Sequence, residues 1–400
     1  MAILALAYAC EPGKGSEPEA GWMWGRMLAR LDDVWVITRA NNADAVTAAL
    51  PGIPERDRLQ FEFVDLPRWA RFWKRRQRGV RLYYMLWQLA ALKRARRLAR
   101  RQSFDIIWHL TLANVWLGSL APLVGGRFVY GPVGGGVGLP WGFITTLGLR
   151  GFTYELLRAG ARTGMRYLNP VARMSWRRAA LILVQNRETR DWLPERYRDK
   201  VRVLPNAMVE SEVPVRARAG GSQGTACFVG RLVPLKGVIL AVQSLQLLDG
   251  WRLIIAGSGP DRKRAERLAN KLQVANRVEF RGWLERAEVL RVMREEADVL
   301  LFPSFHDEAG LVVIEAAQSG LPTVCLDRGG PPLLGGKAIT AKHRSDAVPA
   351  LAAAVLAAAH DPRFEVPTIE SLTLRIEELL RDRGLMRNGS RAGGGHGSTT

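Results

Sequence analysis

Two stretches decide how this chain is read: Phe228-Val229-Gly230-Arg231-Leu232-Val233-Pro234-Leu235-Lys236-Gly237 and Pro303-Ser304-Phe305-His306-Asp307-Glu308-Ala309-Gly310-Leu311-Val312-Val313-Ile314-Glu315. The first closes an apolar run, turns at a glycine, sets a cation at each end of the turn and starts a helix near Gly237. The second follows the apolar run 297–302, loops through Gly310 and continues as a helix through Glu315. Strand, loop and helix in repetition predict a parallel sheet, whose strand-to-helix loops line one edge where ligands settle. Arg231 and Lys236 bring positive charge to that edge, and a helix start near Leu311 brings N–H groups with no partner inside the helix. Both suit a phosphate.

Either segment alone is ordinary. A Gly-Arg turn is often only a solvated cation, and a mid-helix Glu usually faces water. Their order with Ile255-Ala256-Gly257-Ser258-Gly259-Pro260 and Phe280-Arg281-Gly282-Trp283-Leu284 is not ordinary. Residues 201–332 resemble the donor-binding domain of the family 4 retaining glycosyltransferases (glycosyl transferases group 1), and the rest of the chain resembles it more loosely. The family's Arg-x4-Lys pair is matched by Arg231 and Lys236, and its two carboxylates seven residues apart by Asp307 and Glu315. The first carboxylate is usually Glu. Asp307 is one methylene shorter, and Glu308 beside it leaves open which of the two fills that role. Ala207 also stands where the family usually has glycine after Asn206.

The resemblance implies an α/β chain of the GT-B fold, two facing Rossmann-like domains with parallel sheets and a cleft between them. It implies an acceptor-binding domain over 1–205, a nucleotide-sugar domain over 206–365 and a helix over 366–386 packing back on the first domain. The Gly/Ser-rich tail 387–400 is expected to be disordered. Residues 209–224 read as a linker. Arg231 and Lys236 would hold the diphosphate, where leaving-group charge must be met by a fixed cation or by dipoles. Gly230, Gly257, Gly282, Trp283 and Leu284 would surround the nucleotide, with Ala309, Gly310 and Leu311 at the helix start. Glu315 would take the ribose hydroxyls and Asp307 those of the transferred sugar. His109, at the expected end of a first-domain strand, would touch the donor sugar or its phosphate. Catalysis would then fall to His109, Asp307, Arg231 and Lys236.

Two glycine loops of the first half are expected at the cleft. One holds Gly13 and Gly15 after the first strand, and the other holds Gly134 and Gly135 after the run 128–130. Gly13-Lys14-Gly15-Ser16 is not a phosphate-binding P-loop, because the first glycine of that motif is missing and Ser does not follow Lys directly.

At 400 residues and 48% hydrophobic content, two domains of ordinary size are expected. Cys10, Cys227 and Cys325 lie far apart, so neither a disulfide framework nor a zinc site is suggested. No Asp-x-Asp occurs, and no cofactor or metal is expected. The apolar start, residues 1–10, lacks a basic leader and reads as a strand, and no apolar run is long enough to span a membrane. A cytoplasmic protein, peripheral to the inner face of the cell membrane, is expected.

Net charge is +20 and uneven: residues 1–205 carry 33 Lys+Arg against 16 Asp+Glu. Residues 66–104 hold thirteen of these cations and no acid, interleaved with Trp69, Phe72, Trp73, Tyr83, Tyr84 and Trp87. That pattern suggests an anionic membrane surface and a lipid-linked or glycan acceptor. Other readings are a basic nucleic-acid-binding protein, which lacks any accompanying motif, a catalytically inactive sugar-nucleotide binder, and a 2-epimerase of the same fold. The expected partners are a nucleotide-sugar, the acceptor and the membrane, with no nucleic acid.

Overall fold

The computed structural model describes residues 1–67, 79–112, 114–138, 140–211 and 223–386. The basic-aromatic positions within 68–78, most of the linker and the tail 387–400 lie outside the described residues.

Two parallel sheets organise the chain. The first has the order β3-β2-β1-β4-β5-β6-β7, from β1 (Ala2–Ala7), β2 (Asp33–Arg39), β3 (Leu59–Val64), β4 (Ile106–Thr111), β5 (Arg127–Val133), β6 (Ala179–Val184) and β7 (Val201–Val203). The second has the order β10-β9-β8-β11-β12-β13, from β8 (Gly224–Val229), β9 (Trp251–Ala256), β10 (Val278–Gly282), β11 (Val299–Phe302), β12 (Thr323–Leu326) and β13 (Lys337–Ile339). β4 and β11 are buried at every position. Such uniform apolar runs are what a parallel sheet covered on both faces requires.

In each sheet the strand order reverses beside the first strand, between β1 and β4 and again between β8 and β11. A doubly wound sheet opens a crevice at that reversal. The loops that leave β8 and β11 are the two stretches quoted at the outset. Crossover helices cover the faces. In the first half they are α1 (Ser16–Leu31), the short α2 (Ala43–Ala49), α3 (Val80–Ala99), α4 (Ile144–Leu168), α5 (Pro170–Arg178) and α6 (Arg187–Trp192). In the second they are α7 (Val238–Leu245), α8 (Arg262–Lys271), α9 (Arg286–Arg291), α10 (Leu311–Gln318) and α11 (Arg344–His360).

Two helices tie the halves together. α12 (Ile369–Asp382) is started by Thr368 and Ser371, whose hydroxyls each accept from the other's backbone N–H. It buries Ile369, Leu372, Ile376 and Leu379 in a core shared with Trp22, Met23 and Met27 of α1. α4 does the reverse. Its first turn carries Leu147, and the turn before it Phe143, into the core of the second sheet, where Phe143 packs on Phe305 at 4.8 Å between rings. Its far end is held to the first half by Asn169, which caps α5 and donates to the Trp116 carbonyl at 2.9 Å.

Candidate functional site

The apolar runs of β8 and β11 end at the sheet edge, so their loops meet beneath the first sheet around two adjoining cavities. The smaller, of 570 Å³, is lined by Gly15, Gly230, Arg231, Lys236, Gly257, Trp283, Leu284, Asp307, Ala309, Leu311 and Glu315. The larger, of 1170 Å³, lies between the halves and shares Arg231, Lys236, Asp307, Ala309 and Leu311. Gly134 and Gly135 of the first half reach only this larger one, beside Tyr84, Trp116, Leu149, Tyr154 and Arg158.

Local structure explains several placements. Gly310 sits at φ 74° as the residue before α10, where a Cβ would press on Pro331 at 2.7 Å. Its N–H donates to Asp307 Oδ1 at 2.9 Å, so Asp307 closes the loop while its other oxygen pairs with Lys236. Gly257 passes so near the Gly230 carbonyl that a Cβ would lie 1.9 Å from its oxygen, and its N–H bonds the Gly282 carbonyl at 2.6 Å. Gly282 and Gly310 therefore shape the cavity from behind rather than line it. Gly13 also stands back, its carbonyl accepting from Arg286 Nη1 at 3.1 Å.

The two candidate carboxylates each face a cation of the chain. Asp307 has Lys236, which also lies 5.3 Å over the Phe302 ring. Glu315 has Arg286, Nε to Oε1 at 3.2 Å. Arg231 is exposed on the rim.

His109 does not come to the cleft. It is buried inside β4, with Nε2 2.9 Å from the Tyr84 hydroxyl and Nδ1 2.9 Å from the Ser119 hydroxyl. Burial pushes the imidazole down to about 3, so it stays neutral between two hydroxyls. The strand ends two residues later, and His109 points into the sheet's covered face rather than over its edge. Tyr83, Tyr84 and Trp87 correct a second expectation. They belong to the core of the first half instead of forming an aromatic boundary for lipid.

Between Asp307 and Glu308 the geometry separates two tasks. Asp307 faces Lys236 and borders both cavities. Glu308 turns to the first half, accepting from Asn186 Nδ2 at 2.9 Å, the Val137 N–H at 3.3 Å and Thr189 Oγ1 at 3.4 Å. Burial would raise this carboxyl, but hydrogen bonds from His306 and the other donors around it outweigh that and hold it at about 2. Arg158 donates to His306 Nδ1 at 2.7 Å and to Glu155 Oε1 at 3.0 Å. Arg162 and Arg328 donate to the carbonyls of Gly136 and Gly138, at 2.8 and 2.9 Å. The glycine-rich loop 134–138 is thus clamped from both halves.

Glu155, Arg158, His306, Arg328 and Arg286 were not singled out as site residues by sequence reasoning. Arg158 and Arg328 reach segments more than a hundred residues away, and Arg286 joins Glu315 and the Gly13 carbonyl from outside the strand-loop-helix unit that holds Glu315. Among the described residues no group of three or more His, Cys, Asp or Glu side chains could hold a metal ion.

Comparison with known proteins agrees with this arrangement. Residues 217–393 match the family described as glycosyl transferases group 1. That match spans the second sheet and α7 to α12. A D-inositol 3-phosphate glycosyltransferase of Mycobacteroides abscessus is 36% identical over 132 residues, 32% of this chain and 29% of that protein. The match therefore spans less than a third of that relative. A 2-deoxystreptamine glucosyltransferase of Streptomyces kanamyceticus is 27% identical over 310 residues, 71% of this chain and 76% of its own. Among solved structures, Anabaena HepE in complex with UDP superposes with a TM-score of 0.53 at 17% identity, covering 96% of this chain and 100% of that one. Sucrose-phosphate synthase of Thermosynechococcus elongatus gives 0.56 at 15% identity, covering 95% and 98%. Over the described residues the chain has the GT-B fold of these neighbours.

Proposed function

We propose that the protein is a retaining glycosyltransferase that needs no metal and moves a hexose from a nucleotide-sugar to a lipid-linked or polysaccharide-precursor acceptor at an anionic membrane surface. One observation carries the donor side. Arg231, Lys236, Asp307, Glu315 and the start of α10 converge on the 570 Å³ cavity, at the strand-order reversal of the second sheet. HepE bound to UDP and to UDP-glucose supports the same reading. The acceptor side rests on the larger cavity and on the basic first half.

In this reading the diphosphate takes Lys236 from Asp307 and meets Arg231 at the rim. As the glycosidic bond breaks, negative charge gathers on the departing phosphate oxygen. These two cations and the N–H groups at the α10 start stabilise it where it develops. Asp307, released from Lys236, orients the sugar hydroxyls. Glu315 binds the ribose once Arg286 moves aside.

The test is a thermal-shift series with UDP, GDP and ADP, followed by donor turnover. A diphosphate at about 100 times its dissociation constant should add about 2.7 kcal/mol. Arg231→Ala and Lys236→Ala should each lower transfer at least tenfold, since a charge-assisted contact is worth roughly 1.5–3 kcal/mol, and EDTA should change little. Glu315→Gln should weaken the free diphosphate, whereas Asp307→Asn should mainly slow turnover. Full activity in both cation variants, or strict dependence on added metal, would refute the assignment.

A further inference from the structure

α4 is amphipathic the wrong way round for a helix of a water-exposed surface. Its charged side chains Glu155, Arg158 and Arg162 turn inward, to His306 and to the Gly136 and Val137 carbonyls. Its outward face is apolar: Leu149 and Leu168 are 80% exposed, Leu157 75%, Tyr167 64% and Leu156 50%. At 1.5 Å per residue these positions run about 30 Å along one helix. The large apolar side chains gather at the two ends of that length, Leu149, Leu156 and Leu157 at one and Tyr167 and Leu168 at the other, and exposed apolar clusters of this kind mark a surface that meets another apolar phase.

The occupant is argued from charge and from the cleft. Residues 142–187 contain eight arginines and a single acid, Glu155, whose side chain is 1% exposed and tied to Arg158. Arg173 and Arg177 lie exposed on α5, just past the end of the strip. An apolar helix face bordered by cations fits the headgroup boundary of an anionic bilayer. The strip also leads somewhere. Leu149 at its near end and Tyr154 both line the 1170 Å³ cavity.

We propose that the outward face of α4 seats the protein on an anionic bilayer, and that an amphiphilic acceptor passes from the bilayer into the cleft over Leu149 and Tyr154. The second half rests on the glycosyltransferase reading; the first does not. Docking then differs from attraction by the basic segment 66–104 alone, because apolar insertion outlasts salt screening.

Flotation of the full chain with phosphatidylcholine vesicles, with and without phosphatidylglycerol, tests the docking. Wild type should float with the anionic vesicles and keep a bound fraction at 0.5 M salt, ~5 Å of Debye length or less. Leu156→Glu with Leu157→Glu and Leu168→Glu should lower that fraction at least tenfold, with melting temperature and response to UDP unchanged. Should the triple variant melt early, Leu157→Ser with Leu168→Ser repeats the test at the two most exposed of these sites. Equal binding by wild type and variants, or none by wild type, overturns the proposal. So does a wild-type dimer in sedimentation that the variants split, since α4 would then be covered by a second copy. If docking follows α4 while no nucleotide diphosphate shifts the melt, the surface stands and the glycosyltransferase reading falls.

Discussion

At the scale of single residues, the unliganded site is held closed on itself. Asp307 neutralises Lys236, and Arg286 spans Glu315 and the Gly13 carbonyl. In the proposed function Arg286 competes with ribose hydroxyls for Glu315, so its removal should help a nucleotide diphosphate rather than hinder it. The pair is partly exposed and so worth at most about 1 kcal/mol. Arg286→Ala should tighten UDP binding by up to about fivefold in titration calorimetry. Unchanged or weaker binding would mean that Arg286 does not compete for Glu315. The loop sequence around Glu315 made its candidacy legible, because the spacing from Asp307 is local. Its competitor was not legible, since nothing in Leu284-Glu285-Arg286 says which way that side chain turns. His109 shows the same limit: its position near the end of β4 could be read, but its two hydroxyl partners come from α3 and from the loop after β4.

Among elements, the loop 134–138 shows most clearly how the halves communicate. Its many glycines predicted a close approach, and the structure supplies the object approached: Glu308, set beside the donor-side Asp307. With its carboxyl held at about 2 against an ordinary 4.5, the folded state binds its proton more weakly than the unfolded chain. Stability from this group is therefore complete above pH 4.5 and is lost as pH falls towards 2. Glu308→Gln should be less stable than wild type near neutrality, and the gap should narrow on acidification. Urea melts at pH 6 and pH 3 measure it. A gap at pH 3 as large as that at pH 6 would contradict the ionised clamp. α4 makes the complementary point. Periodicity along such a helix gives a stripe without saying whether core or solvent lies beneath it.

For the whole molecule, α12 is the element that carries the end of the chain back to the beginning. Ile376 is fully buried against α1 although more than 340 residues separate them in the chain. Ile376→Ala should cost roughly 2–5 kcal/mol, and hydrogen exchange should rise in α1 before it rises in the second sheet. Faster exchange confined to residues 224–339 would show that α12 belongs energetically to the other half. The sequence by itself determined the α/β class, the parallel strands and the two loops that follow β8 and β11. Those features rest on periodicity, glycine placement and spacings of a few residues, which act within one strand-loop-helix unit. Only the tertiary structure decided that His109 is core, that Glu308 clamps the opposite half and that α4 shows its apolar face to solvent. Each of these depends on which distant segment covers a side chain, and burial of that kind is settled by packing between elements rather than by any residue's neighbours in the chain.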